Sequence, residues 1–167
     1  MKFTKLCLFL ASIGALVTSS DGAALAGSAP ANLTVSVVIS NNCTITTSAV
    51  TFAGYDPLSA TNTDSTGGSV TITCTKGATA NIGLDNGANN SSGQRRMKDA
   101  ATDYLNYFLF SDAGRTTAWG NATGSWFSAP AAPDKTARPY TVYGRITAGQ
   151  DVPAGTYNDT VIATVNF

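Results

Sequence analysis

The chain has 167 residues, enough for one domain with a sizeable core, and its ten Lys and Arg balance ten acids, all of them Asp. That balance gives no electrostatic reason to bind nucleic acid or an anionic membrane surface. With no His anywhere, Ser-His-Asp and Cys-His catalysis and any imidazole base are excluded.

The opening Met1-Lys2-Phe3-Thr4-Lys5 is basic, residues 6–17 form a short apolar run, and Ala24-Leu25-Ala26 offers the small residues a signal peptidase reads. This pattern predicts an export signal over residues 1–26. An apolar run of about a dozen residues falls short of the roughly 20 a spanning helix needs, so no direct membrane insertion is expected. Removing the segment takes away Lys2, Lys5 and Asp21 and leaves eight basic against nine acidic residues. Cys7 leaves with the signal. Cys43 and Cys74 remain, an even number in a chain bound for an oxidising compartment, which predicts a structural disulfide. Two cysteines without a histidine cannot complete a zinc site.

Glu is absent and Lys is scarce, while Thr, Val, Ser, Asn and Gly abound, so strands and turns are expected in place of helices. The first predicted strand is residues 33–39, where Leu33, Val35, Val37 and Ile39 recur every second residue with Thr34 and Ser36 between them. Either this strand pairs within its own domain or it completes a neighbouring copy. Asn41-Asn42 breaks it. Residues 43–52 read as one or two short strands with Cys43, Ile45, Val50 and Phe52 inward, Tyr55-Asp56-Pro57 as a turn, and residues 59–68 as a loop. Residues 70–75 alternate with Val70, Ile72 and Cys74 inward, and Ala80, Ile82 and Leu84 repeat the pattern. Asp85-Asn86-Gly87 predicts a hairpin turn.

Residues 104–110 are apolar on both faces, which predicts a central strand covered twice. Residues 111–120 hold a turn and a short strand ending at Trp119, and Pro130, Pro133 and Pro139 mark an irregular connection. Residues 140–146 form a strand, Pro153-Ala154-Gly155 turns the chain, and residues 156–167 form the last strand. Tyr157, Val161, Ala163, Val165 and Phe167 share one of its faces; Asp159 interrupts that face, so burial is expected from Val161 onward. Strands at intervals of about ten residues indicate an all-β, immunoglobulin-like two-sheet sandwich.

Candidate chemistry is sparse. The aspartates fall mostly in turn contexts, which argues against a glycosidase carboxylate pair. The oxygen-rich loop at residues 85–92 lacks the acidic spacing of a calcium site. Arg95-Arg96 reads as a solvated edge or a structural ion pair in preference to an anion site, and Trp119, Trp126 and the tyrosines as packing in preference to a sugar platform. No catalytic residue, metal site or cofactor is expected.

One set of motifs is more telling. These are Phe52-Ala53-Gly54-Tyr55-Asp56-Pro57-Leu58, residues 70–74 with Lys76-Gly77, and Arg95-Arg96-Met97; then residues 107–110 with Ser111-Asp112, Arg115-Thr116 and Trp119-Gly120; and last residues 140–146, Ala148-Gly149-Gln150, Val152-Pro153-Ala154-Gly155, Tyr157, Asp159-Thr160 and the ending Thr164-Val165-Asn166-Phe167. In this order the chain resembles the spore coat protein U family, the domain also found in subunits of archaic chaperone–usher pili. The resemblance implies an immunoglobulin fold that is incomplete, lacking its final strand, and finished by an N-terminal donor strand from the next subunit. It implies a donor segment over residues 27–41, with Leu33, Val35, Val37 and Ile39 as donor residues, and a pilin domain over residues 42–167. Val161, Ala163, Val165 and Phe167 then border the acceptor groove and contact a periplasmic chaperone. The implied partners are copies of itself or related pilin subunits, that chaperone and an outer-membrane usher. The implied route is through the periplasm to a pilus on the cell surface or to a coat, in adhesion and biofilm formation. A structural coat protein, or a secreted lectin-like module, is the alternative.

Overall fold

A computed structural model describes residues 26–65 and 67–167. Apart from Ala26, the expected export signal lies outside the described residues, as does Cys7. The chain divides into two units, Met1–Val37 and Val38–Phe167. In the first, the described residues carry no strand or helix and are exposed throughout. The second is all β.

Among the described residues ten strands run β1 (Cys43–Ser48), β2 (Thr63–Asp64), β3 (Gly68–Cys74), β4 (Ala80–Leu84), β5 (Arg96–Lys98), β6 (Tyr104–Asn106), β7 (Phe108–Phe110), β8 (Phe127–Ala129), β9 (Arg138–Ile146) and β10 (Ala163–Asn166). Every pairing is antiparallel. One sheet has the order β1-β3-β9-β2 with β7 also on β9, the other the order β10-β4-β8, and β5-β6 form a small ribbon. Arg145 of β9 pairs with both Asp64 and Phe108, so β2 and β7 flank β9 on opposite sides. No described residue is helical, and no described helix is long and apolar enough to cross a membrane. The domain is an immunoglobulin-like β-sandwich.

Period-two patterning builds the core. β3 alternates buried and half-buried residues along its whole length, with Val70, Ile72 and Cys74 inside. Ala80, Ile82 and Leu84 are buried on β4, facing Leu109, Val142 and Ile146 of the same cluster. Trp119 sits among them, and its Nε1 donates to the Ile82 carbonyl at 2.8 Å, so its one polar atom is satisfied. Gly144 must be glycine: a Cβ there would lie 2.7 Å from Phe52 Cζ and 2.9 Å from Ser65 Oγ, the buried hydroxyl that accepts the Gly144 N–H.

Cys43 and Cys74 are joined and form the first cross-strand pair of the β1–β3 ladder. Closing a loop of 31 residues is worth roughly 3–4 kcal/mol in the chain-entropy picture. Replacing both cysteines with serine should therefore lower the melting temperature on the order of 10 °C. A thermal melt of the purified domain that does not move would show the bridge to be idle.

Several elements depart from the sequence expectation. Residues 33–39 form no strand, and residues 59–68 contain β2. The turn at Asp85 exists, with Asp85 Oδ1 accepting the Gly87 N–H, but it makes no hairpin, because β4 pairs with β10 and β8. Residues 104–110 are two strands that part at Tyr107: β6 joins the ribbon and β7 joins β9, while Tyr104 and Phe108 are each 38 % exposed. Pro139 lies within β9, at its start where a missing N–H is tolerated, and the last strand shortens to β10.

Candidate functional site

The site is a cleft between two sheet edges. β1 ends one sheet and β10 the other, each with a single ladder partner among the described residues, and the two strands lie beside each other. Each edge presents unpaired backbone N–H and C=O groups, which makes it a template for a further strand. Between them is a cleft of about 400 Å³. Its β1 wall comprises Thr47, Ser48, Val50 and Phe52, its β10 wall Val161 and Ala163, and its floor Val70, Leu84, Met97, Tyr107, Leu109 and Val142.

A hydrogen-bonded frame holds the β10 wall. Asp159 Oδ2 accepts from Tyr107 Oη at 2.6 Å, while its Oδ1 accepts from the backbone and side-chain amides of Asn89, each at 3.1 Å. Three residues on, the Ile162 N–H donates to Asp85 Oδ1 at 2.9 Å. Burial, the bond to Asp159 and that carboxylate's charge push the Tyr107 phenol well above its ordinary pKa, so it remains a donor at any physiological pH. Alternation along the last segment thus reaches back through Asp159 to Tyr157; the aspartate is inward-facing and satisfied.

Arg95 braces the same frame from below. It is 8 % exposed, no solvated edge, and makes no ion pair among the described residues. Its Nε donates to the Asp85 carbonyl at 2.8 Å, and its Nη2 to the Leu84 and Trp119 carbonyls at 2.7 and 2.9 Å. Burial draws its pKa down from the usual arginine range, an effect that Tyr107, Asp85 and Asp159 oppose.

Of the residues expected at the site, Val161 and Ala163 line the cleft. Val165 is half-buried against the core beyond it, and Phe167 is 56 % exposed and does not line it. Leu33, Val35, Val37 and Ile39 are 88, 86, 82 and 77 % exposed. Trp119 is buried and Trp126 half-buried, so no open aromatic platform forms from the pair. Among the described residues no three His, Cys, Asp or Glu gather as metal ligands.

The family of the Spore Coat Protein U domain matches residues 29–164. The chain belongs to the Spore Coat Protein U domain family. A relative in Myxococcus xanthus, Protein U, is 42 % identical over 157 residues, covering 85 % of this chain and 87 % of that protein. Among solved structures, the domain is similar to a chain in the CsuC–CsuE chaperone–tip adhesion subunit pre-assembly complex from archaic chaperone–usher Csu pili of Acinetobacter baumannii. The identity is 28 % and the TM-score 0.55, covering 77 % of this chain and 40 % of that one. This Spore Coat Protein U domain therefore spans about two fifths of the length of that chain.

The motif residues of the domain have visible jobs. Tyr55 Oη accepts the Gln150 N–H at 2.7 Å, and Gln150 in turn bridges both backbone groups of Asn106, pinning the loop after β1 to the β6–β7 break. Arg145 makes a two-pronged ion pair with Asp64, holding that carboxyl below the usual carboxylate range. The floor residues Met97, Leu109 and Val142 carried no sequence signal for the cleft, because each reads simply as core.

Proposed function

We propose that this chain is a structural subunit of an archaic chaperone–usher pilus and polymerises by donor-strand exchange, residues 33–39 of one copy completing the sandwich of the next. One observation carries this reading: four alternate apolar side chains, 77–88 % exposed, belong to a chain whose sandwich keeps, between two sheet edges, a cleft with a mainly apolar floor and a partly polar rim. A strand laid in such a cleft gains ladder bonds from both edges and buries Leu33, Val35, Val37 and Ile39. Their transfer from water is worth roughly 6–12 kcal/mol, at about 1.5–3 kcal/mol each, before ordering costs.

On this reading residues 1–26 direct export, residues 27–41 are the donor segment and residues 42–167 the pilin domain. A periplasmic chaperone occupies the cleft in transit, and an outer-membrane usher delivers the subunit to the cell surface. There the fibre serves adhesion and biofilm formation. The neighbour in Csu pili supports the pilus. Membership of the Spore Coat Protein U domain family favours a second reading, a structural spore or cell coat built by the same exchange.

Val161→Asp tests the acceptor side. A carboxylate in the β10 wall would lie under the incoming strand, where an unpaired charge costs several kcal/mol. The expected outcome is a folded, bridged chain that sediments as a monomer. Normal polymers from this variant would remove the cleft from the account.

A further inference from the structure

The position of the disulfide, relative to the segment before it, points to a role beyond folding. β1 is an edge strand whose ladder partner is β3 alone, through six residue pairs from Cys43↔Cys74 to Ser48↔Ser69. Its far end, Thr47 and Ser48, together with Val50 and Phe52 just beyond, is one wall of the cleft. β3, by contrast, is central: β9 pairs with it through five further residues, and its Val70 and Ile72 are 1 % and 0 % exposed. The Asn42 N–H donates to Thr75 Oγ1, and the Thr75 N–H donates to the Asn42 carbonyl, so the chain is fastened at the residue next to the bridge.

We infer that the Cys43–Cys74 bridge is a tension clamp that keeps pull between linked copies from stripping β1 out of the sandwich. This rests on the reading of residues 33–39 as a strand lent to a neighbour. Between Ile39 and Cys43 stand only Ser40, Asn41 and Asn42, a reach of at most about 14 Å, so there is little slack and tension on the lent strand arrives at Cys43. Without the bridge that tension opens the three Asn42–Thr75 bonds and then the β1–β3 pairs one after another. Loss of β1 takes away a wall of the cleft, and the strand received from the previous copy is released. With the bridge the load passes covalently into β3, which leaves only by breaking its ladders with β1 and β9 together.

The test is to pull assembled polymers of the full mature chain end to end in optical tweezers. They are compared with polymers of the Cys43→Ser, Cys74→Ser chain and with wild-type polymers reduced after assembly, the freed thiols confirmed by titration. Both bridge-less forms should part at a force at least about twofold lower, since forced rupture is governed by the unfolding rate. If the serine chain does not assemble, the post-assembly reduction decides alone. Equal rupture forces would overturn the clamp while leaving the subunit reading intact. Absence of polymers from the wild-type chain would overturn both.

Discussion

A chain carrying Val37→Asp should fold, keep its Cys43–Cys74 bridge and form no polymer. Val37 is 82 % exposed, so the folded domain gives up nothing when it is replaced. Under exchange the same position enters a neighbour's cleft, over a floor that includes Val70, Leu109 and Val142. The substitution then forfeits about 1.5–3 kcal/mol of burial and adds several kcal/mol for an unpaired carboxylate. At about 1.4 kcal/mol per tenfold, association should fall by at least about three orders of magnitude. Melting temperature and chaperone binding should be unchanged, since neither uses residue 37 on this account. Mixing sharpens the result: the Val37→Asp chain keeps an intact cleft and the Val161→Asp chain keeps an intact donor. Neither polymerises alone, but together they should give discrete dimers, seen as one new species in analytical ultracentrifugation. Polymers from either chain by itself would contradict the assignment.

The second large effect is expected inside the domain. Arg95→Met keeps much of the buried stem and removes the guanidinium, leaving the Leu84, Asp85 and Trp119 carbonyls without the donors they now have. Bonds to a charged donor are worth about 1.5–3 kcal/mol each, with partial compensation by water at the rim, so a loss of roughly 3–5 kcal/mol is expected in a denaturant titration. Arg95→Lys should recover only part of it, because one ammonium cannot serve three carbonyls spread around a planar fork. Leu84 and Asp85 both contribute to the cleft frame, Leu84 as floor and Asp85 by accepting the Ile162 N–H. Polymerisation should therefore weaken together with stability. A Met variant as stable as the wild type would show Arg95 to be a passive filler.

The sequence spoke clearly where side chains alternate and stay buried. Val70, Ile72 and Cys74, and again Ala80, Ile82 and Leu84, are inward as their period requires. Short strands were silent: β5 and β8 have three residues each, too few for a period to register. The run at residues 104–110 read as one strand because its composition is uniformly apolar. It divides at Tyr107, whose N–H bonds to the Arg95 carbonyl and whose hydroxyl bonds to Asp159, neither of them a strand ladder.

Asp159 and Arg95 were misjudged for one reason. A charged residue in a sequence argues for solvent, and what overrides that is a partner set drawn from distant segments: Tyr107 and Asn89 for the aspartate, and three carbonyls for the arginine. Period marked Val161 and Ala163 as inward and only the family resemblance set them beside a groove; the floor of the cleft, assembled from strands far apart in the chain, carried no signal of either kind.

Cryo-electron microscopy of the material formed by the processed chain bears most directly on whether each copy is finished by another. Filaments are expected in which density for residues 33–39 runs between β1 and β10 of the adjacent subunit, with Leu33, Val35, Val37 and Ile39 turned toward its core. Single closed particles, with residues 33–39 laid in the cleft of their own domain, would contradict it.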